Sequence, residues 1–350
     1  MSNFPIKIIY YSVTWYLITQ TYHIKTIQLP WHKNYFNDLN PAKYEKHCSL
    51  IDSTQKIHGY ALIASYFPTY KKNKSKIVSS IQSKREAFKS QLIASEQEVF
   101  TTIKKKYHVN DIIWNQCLTT IKNIKNHYNN GLLKHHPSIK HDTTIPADTL
   151  NTLKTLLQQN NINPQSVHIK MVSDQKQTNE NIKTLACVES FIIASENGKK
   201  NKHLFIEPHY IPSTINISSF SNTFSSTEKI SLFAHEIEHL LQQHSLTTLI
   251  LEEYLNYYYG IKPEQFRKTP EYHKLLQIHE AQAEICAAIK NPSIAHCLTE
   301  MRKKYPYPNL LYQEHFYHIS TINMLWKVQE WLEFFYTKCK INFTFGTTKC

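Results

Sequence analysis

The chain has 350 residues, enough for a full-sized core without disulfide staples, and its five glycines lie too far apart for a GxGxxG loop or a P-loop, which excludes nucleotide binding through such loops. Basic residues outnumber acidic ones by 40 to 27, a formal net charge of +13, but only Arg85, Arg267 and Arg302 are arginine, so specific nucleic-acid binding is disfavoured. The seven cysteines form no CxxC pair, which speaks against a disulfide framework and favours a reducing compartment.

The first 80 residues lack a regular hydrophobic period. Pro41 and Pro68 interrupt aromatic-rich stretches, and we expect an irregular N-terminal extension over residues 1–80. The apolar run at residues 8–18 has the length of a signal-peptide core and is too short to span a bilayer. No small-residue cleavage site follows it. The sequence favours a cytoplasmic protein without a transmembrane span, and it leaves secretion or membrane anchoring through residues 8–18 as the alternative.

Helical spacing follows over residues 81–135. It breaks near residues 108–111, where Asn110 or Asp111 is suited to cap a second helix. Gly131 and two prolines then indicate a domain boundary. We therefore expect a helical region at residues 81–135, a second domain at residues 136–340 and a C-terminal tail at residues 341–350.

The second domain has the pattern of an α+β fold. We expect a helix at Ala147–Gln159 and strands at Val167–Met171, Ala186–Ala194 and His203–Ile206. After a Ser- and Asn-rich stretch, Ser225-x-x-Glu228 has the spacing of a capping box and predicts a helix that ends near residue 243. Three more helices are expected near residues 246–258, 270–290 and 309–337.

The capped helix contains His235-Glu236-Ile237-Glu238-His239, an HExxH motif. At about 100° per residue, the apolar side chains share one face, and His235 and His239 lie together on the other, about 40° apart. Imidazoles one helical turn apart can bind the same Zn²⁺. Glu236 is rotated away from the ion and toward its bound water. The motif therefore predicts two zinc ligands, His235 and His239, and a general base, Glu236.

A catalytic zinc takes a third protein ligand. Glu280, 41 residues after His239, lies on a helix whose alanines allow another helix to approach closely, and we assign it as that ligand. Glu284, one turn further, is expected to accept a hydrogen bond from the second nitrogen of a ligand imidazole. His279 is the rival ligand, about 100° away from the direction of Glu280. His244 lacks the glycine and the spacing of six that a metzincin third histidine requires.

Two motifs of the chain resemble those of one family. They are His235-Glu236-x-x-His239-x-x-x-x-His244-Ser245 and Glu280-x-x-Ala283-Glu284, and over about residues 165–325 the chain is similar to the HtpX/Ste-type gluzincin zinc metallopeptidases. The resemblance implies a zincin-like fold and a standalone peptidase. The zinc ligands that it implies are His235, His239 and Glu280, and the general base is Glu236.

The chain departs from the family pattern at several places. Glu238 stands where the family has Gly, Glu284 stands where it has Asp, and the insertion between the motifs is shorter. The family's His-Pro segment has no histidine here, so the donor that stabilises the transition state is not carried over. Nearby candidates for that donor are Tyr307, Tyr312, His315 and His318.

We therefore expect an α+β protein with a zincin-like metallopeptidase domain, formed by a small sheet, an active-site helix and following helices, after a mainly helical N-terminal region. The expected function is zinc-dependent hydrolysis of a peptide or unfolded protein, with the substrate extended along the strand of His203, Leu204, Phe205 and Ile206. The alternatives are a catalytically silent metal-binding or chaperone-like module on the same fold and a basic nucleic-acid-associated protein. The oligomeric state stays open.

Overall fold

The computed structural model describes residues 41–133, 141–172, 185–190, 192–197, 203–207, 213–304 and 312–338. These residues are mostly helical, with a three-stranded mixed sheet and a separate two-stranded sheet. The α+β class that the sequence predicted is therefore confirmed. The run at residues 8–18 lies outside the described residues, and no helix within them is both long and apolar enough to cross a membrane.

The N-terminal half is helical from the first described residue. Helix α1 spans Pro41–Tyr66, a 3₁₀ turn spans Phe67–Thr69 and α2 spans Tyr70–Lys106. The predicted irregular extension is therefore wrong for residues 41–80. Pro41 begins α1, and Pro68 lies in the first positions of the 3₁₀ turn, where a proline loses no hydrogen bond. These prolines mark the starts of helices.

The break predicted near residues 108–111 is confirmed. Helix α3 spans Asp111–Leu133, and Ile112 N donates to Asn110 Oδ1 at 2.8 Å before its first turn. His108 has a left-handed conformation, with φ of 49°. Asn110, one of the two predicted caps, is the residue that makes this contact.

Two sheets follow helix α4, which spans Ala147–Gln159 as predicted. The strands are β1 (His168–Val172), β2 (Ala186–Glu189), β3 (Ile193–Asn197), β4 (His203–Glu207) and β5 (Thr214–Ser218). In the three-stranded sheet, β5 is central and pairs in parallel with β1 and antiparallel with β2. Strands β3 and β4 form an antiparallel pair of their own.

Two strand predictions need correction. The single strand expected at Ala186–Ala194 is divided between β2 and β3, which belong to different sheets. Strand β5 was not expected, although it is the centre of its sheet and all five of its residues are buried. Its polar side chains alternate with Ile215 and Ile217, and the surrounding Ser- and Asn-rich sequence resembles a loop.

The C-terminal part is a set of helices around the sheet. They are α5 (Ser226–Gln242), α6 (His244–Tyr259), α7 (Pro263–Phe266), α8 (Pro270–Lys290), α9 (Pro292–Lys304) and α10 (Tyr312–Lys338). The sequence predicted α5, α6, α8 and α10 with close boundaries, whereas α7 and α9 were not expected. Both missed helices begin at a proline, as helices commonly do.

Helix α8 is at the centre of the packing. It contacts α2, α5, α9 and α10, and Ala281 of α8 lies in one buried cluster with Ala234 of α5 and Leu92 of α2. Small side chains let these helices approach closely, as the alanine stripe predicted. Trp114 of the predicted helical region and Leu275 of the predicted second domain share another core. The two regions therefore pack as one unit.

Candidate metal centre

The helix that carries the motif has sharply defined ends. Ser225 N donates to Glu228 Oε2 at 2.9 Å, and Glu228 N donates to Ser225 Oγ at 3.3 Å, which confirms the capping box. At the other end, Gln243 has a left-handed conformation, with φ of 52°, and α6 begins at the next residue. This turn brings His244 back against His239, in the last turn of α5.

Three side chains of α5 and α8 converge on one point. His235 Nε2 and His239 Nε2 are 3.0 Å apart. Glu280 Oε2 lies 3.1 Å from His235 Nε2, and Glu280 Oε1 lies 3.3 Å from His239 Nε2. The structure thus brings together the three residues that the sequence singled out as metal ligands, and they form a group that could hold an ion.

The spacing of these atoms fits zinc. Ligand atoms held at about 2.0–2.1 Å from one ion, at tetrahedral angles, are about 3.3 Å apart. The three separations of 3.0, 3.1 and 3.3 Å are close to this value. Two imidazoles and one carboxylate are also a donor set of catalytic zinc sites, which keep a position open. The Glu280 side chain is 28% exposed, so the group can be reached from solvent.

Electrostatics favour an ionised Glu280. Burial acts to raise the pKa of its carboxyl, but the neighbouring His239 and His235 imidazoles outweigh burial and hold the pKa well below its usual range. For His239, burial acts to lower the pKa and the Glu280 carboxylate acts to raise it, with a net increase. The charged oxygens of Glu280 are therefore available as ligand atoms at neutral pH.

Glu236 lies beside this group, with only 4% of its surface exposed. Burial raises the pKa of its carboxyl, whereas the His235 and His239 imidazoles act in the opposite direction and the Glu280 charge adds to the increase. The net pKa is raised. A carboxylate with a raised pKa accepts a proton more readily near neutral pH, which is the property that a general base needs.

A second layer of polar side chains lies behind His239. His244 Nδ1 is 2.9 Å from His239 Nδ1, and His244 Nε2 is 2.9 Å from Gln282 Oε1. Gln282 Nε2 donates to the carbonyl oxygen of Leu92 on α2, at 3.5 Å. His244 is therefore a direct neighbour of the His239 imidazole, on the side away from Glu280.

His279 joins the same layer. Its ring stacks on His244 with centroids 4.3 Å apart and planes 8° apart. Its Nε2 lies 2.9 Å from Glu96 Oε1 on α2. Burial acts to raise the pKa of Glu96, but the hydrogen bond and charge of His279 outweigh burial and lower it. The contacts of His279 thus lead to α2 and away from the Nε2 atoms of His235 and His239.

Two other carboxylates of this helix pair contact basic side chains. Glu284 accepts a hydrogen bond from Arg302 Nε of α9, and it lies near enough to His239 to act on that imidazole electrostatically. Its predicted bond to a ligand imidazole stays a prediction. Glu238, where the resembled family has Gly, pairs with Lys290 at 2.5 Å and joins α5 to the end of α8.

Strand β2 lies near this group. It packs against α5, and the Cys187 thiol is within electrostatic reach of both Glu236 and Glu280. The strand predicted to bind substrate, His203–Ile206, lies within β4, which packs on α6. There, Leu204 N donates to Tyr258 Oη at 3.1 Å. Its contacts therefore lead to the α6 core.

No protein-family model, curated protein or solved structure matches this chain. The side chains at the interface of α5 and α8 are therefore the basis on which a function can be inferred.

The sequence did not indicate several residues of the site. The sequence presents His244 only as a rejected third ligand, no pattern singles out Gln282, and Glu96 lies 183 residues before its partner His279. The signal in the sequence for His244 is its short distance from the HExxH motif. A turn between two helices at this point places the His244 side chain back against the motif. For the transition-state donor, Tyr307 and the side chains of Tyr312, His315 and His318 lie outside the described part of the structure.

Proposed function

We propose that this protein is a zinc-dependent endopeptidase with a zincin-like domain of the HtpX/Ste gluzincin type. One observation carries the proposal: two imidazole nitrogens and a carboxylate meet at zinc-ligand spacing, with a buried glutamate next to them. Zinc would be held by His235, His239 and Glu280. An HExxH helix with the ligand glutamate on a later helix is the arrangement that the sequence resemblance implies.

The residues around the group have separate chemical tasks. Bound zinc would supply Lewis acidity for a scissile carbonyl and would lower the pKa of a coordinated water toward about 7. Glu236 accepts the proton of the attacking water on its carboxylate and then delivers it to the leaving amine nitrogen. The burial that raises the pKa of Glu236 makes this carboxylate a stronger base than an exposed one.

Strand β2 is the better candidate for holding an extended substrate. Ser218 N donates to Leu185 O, so the alternating hydrogen-bond pattern with β5 directs the N–H groups of Ala186 and Val188 to the opposite edge. Among the described residues, no strand pairs with that edge. A peptide can add to such an edge through backbone hydrogen bonds, next to Cys187 and the metal group.

The test is zinc content together with peptide cleavage. Purified wild type is expected to hold one zinc per chain and to cleave an unstructured peptide. The Glu236→Gln variant is expected to keep the zinc and to lose about 10²–10⁴-fold in turnover, because it cannot accept a proton. Glu264→Gln, which changes an exposed glutamate of α7, is the matched control and should cleave normally.

The outcomes separate the competing functions. A wild type without bound metal refutes the zinc site. A wild type that holds zinc but cleaves no peptide refutes the endopeptidase and supports the silent metal-binding or chaperone-like module. Steeply salt-dependent binding to unrelated DNA, without cleavage, supports the nucleic-acid alternative.

Two proline variants distinguish the strands. Val188→Pro removes an N–H of β2 that is not used in pairing with β5, so we expect zinc content to persist and peptide turnover to fall. Phe205→Pro changes an exposed position of β4 and removes an N–H that faces β3, because the N–H of the neighbouring Leu204 points the other way, to Tyr258 Oη; it should leave turnover unchanged. If only the β4 variant loses turnover, the substrate lies along His203–Ile206 as the sequence predicted.

A further inference from the structure

Behind His235, His239 and Glu280, the proposed metal ligands, a hydrogen-bond network connects the site to the N-terminal half of the protein. It runs from His239 to His244, from His244 to Gln282 and from Gln282 to the Leu92 carbonyl of α2. His244 and Gln282 are each 4% exposed, so water does not compete for their hydrogen bonds. The mechanism above does not use these residues.

The Leu92 carbonyl, at the α2 end of this network, determines which atom donates in each hydrogen bond. The Leu92 carbonyl can only accept, so Gln282 Nε2 donates to it and Gln282 Oε1 faces His244 as an acceptor. His244 Nε2 must therefore carry a hydrogen. In a neutral imidazole the other nitrogen then carries none, so His244 Nδ1 accepts a hydrogen from His239 Nδ1.

This direction of the hydrogen bonds leaves Nε2 of His239 able to bind a metal. With its hydrogen on Nδ1, His239 has a lone pair on Nε2, the atom that faces His235 and Glu280. If the hydrogen were on Nε2, His239 could not bind a metal through that atom. The acceptor on His244 thus decides which nitrogen of His239 is free.

Helix α2 contacts this hydrogen-bond network at a second residue, Glu96. Glu96, one turn after Leu92, can only accept as a carboxylate, and it receives hydrogen bonds from His279 Nε2 and from Gln282. His279 in turn stacks on the His244 ring. Two residues of α2 therefore restrain both the ring plane and the hydrogen-bond direction of His244.

We propose that His244, Gln282 and Glu96 are positioning residues that keep His239 in the tautomer that binds metal, which makes α2 part of the metal centre. This inference rests on the proposed zinc site. It gives the N-terminal helices a function besides packing. Loss of such an outer partner weakens metal binding by about 10–100-fold in other sites.

The experiment measures zinc affinity of the full chain by competition with a chromophoric chelator, and the visible absorption of the Co²⁺-substituted protein. His244→Phe keeps the ring stack and removes the acceptor, and it should weaken zinc binding about 10–100-fold and alter the Co²⁺ bands. His244→Asn returns an acceptor oxygen near the Nδ1 position and should recover most of the affinity and the wild-type bands.

A second pair of variants covers the case in which His244→Phe does not fold. Gln282→Met keeps the side-chain length and removes the hydrogen bonds to His244, Leu92 and Glu96, and we expect weaker zinc binding. Gln277→Met is its matched control, because Gln277 is also a buried glutamine of α8 and its side-chain oxygen has no hydrogen-bond partner among the described residues. Glu96→Leu tests the link to α2 and should weaken zinc binding several-fold.

Each outcome decides the proposal. It is overturned if His244→Phe and Gln282→Met bind zinc within twofold of wild type, or if Gln277→Met weakens binding as much as Gln282→Met does. A wild type that binds no zinc overturns both proposals. A wild type that binds zinc and cleaves no peptide overturns only the endopeptidase, because affinity and Co²⁺ absorption still report on the positioning residues.

Discussion

The interface between α5 and α8 buries several carboxylates, whereas α10 packs against α1 and α2 mainly through aliphatic and aromatic side chains, with a hydrogen bond from Arg85 of α2 to Gln329 of α10. The first contains Glu236, Glu238 and Glu284, all less than 5% exposed. The second contains Leu325, Val328 and other apolar residues that are equally buried. Burying a carboxylate costs free energy unless it is paired, whereas burying an aliphatic side chain stabilises the fold. Of these two interfaces, the one with buried carboxylates is therefore the one where chemistry is proposed.

This comparison predicts different consequences of substitution in the two interfaces. Near α5 and α8, changes should affect metal binding and should cost most where one partner of a charged pair is removed. Near α10, changes should affect stability alone. The following predictions test the difference, from the largest expected effect to the smallest.

The largest effect on stability is expected at Arg302. Arg302→Met leaves the Glu284 carboxylate buried without its guanidinium partner, and the free energy of unfolding should fall by about 3–5 kcal/mol. Urea denaturation measures this change. In the double variant Arg302→Met/Glu284→Leu, both charges are gone and most of the loss should be recovered. Equal stability of the single variant and wild type would contradict the prediction.

An aliphatic truncation in the other interface should cost somewhat less. Leu325 is 2% exposed, and Leu325→Ala should lower the free energy of unfolding by about 2–4 kcal/mol through lost burial and a residual cavity. Zinc content per folded chain should not change. Lys327→Ala, at an exposed position of the same helix, is the control and should change stability by less than about 0.5 kcal/mol. A loss of zinc from Leu325→Ala would show that the two interfaces are coupled.

Acid should act beside the charged interface, through Glu96 of α2, which pairs with His279 of α8. Its pKa is lowered in the folded state, so its ionised form stabilises the fold above the unfolded pKa, about 4.3, and this contribution is lost as the pH falls through the lower folded pKa. Glu96→Gln lacks this contribution. The stability difference between wild type and variant should therefore shrink as the pH is lowered from about 5 to about 3, as measured by urea denaturation at each pH.

Base should act on the apolar interface through Tyr70, with the smallest expected effect. Burial, with the Glu333 charge in addition, raises the pKa of the Tyr70 hydroxyl to about 12. The neutral form therefore stabilises the fold below the unfolded pKa, about 10, and this contribution is lost as the pH rises through 12. Tyr70→Phe should flatten the decline in stability over this range. A decline identical to that of wild type would exclude Tyr70 as its source.

Many elements of the fold could be predicted from the sequence because their signals are local. The capping box of Ser225 and Glu228 marks the start of α5, and one helical turn places His235 and His239 side by side. Strand β5 could not be predicted, because Asn and Ser favour turns locally and the segment is held as a strand by its pairing with β1 and β2. The helices at residues 41–80 were missed because prolines at helix starts resemble breaks.

Sequence alone determined which residues are suited to zinc chemistry, because the spacing of two histidines and a glutamate within one helix is set by helix geometry. Only the tertiary structure decided that Glu280 approaches both imidazoles, that Glu284 meets Arg302 and that β2 lies beside the site. It also decided that Glu96 and Leu92, more than 180 residues away from their partners, reach the layer behind His239. The physical reason is that such contacts depend on how α2, α5 and α8 pack, and packing is set by the whole buried core and by no local sequence pattern.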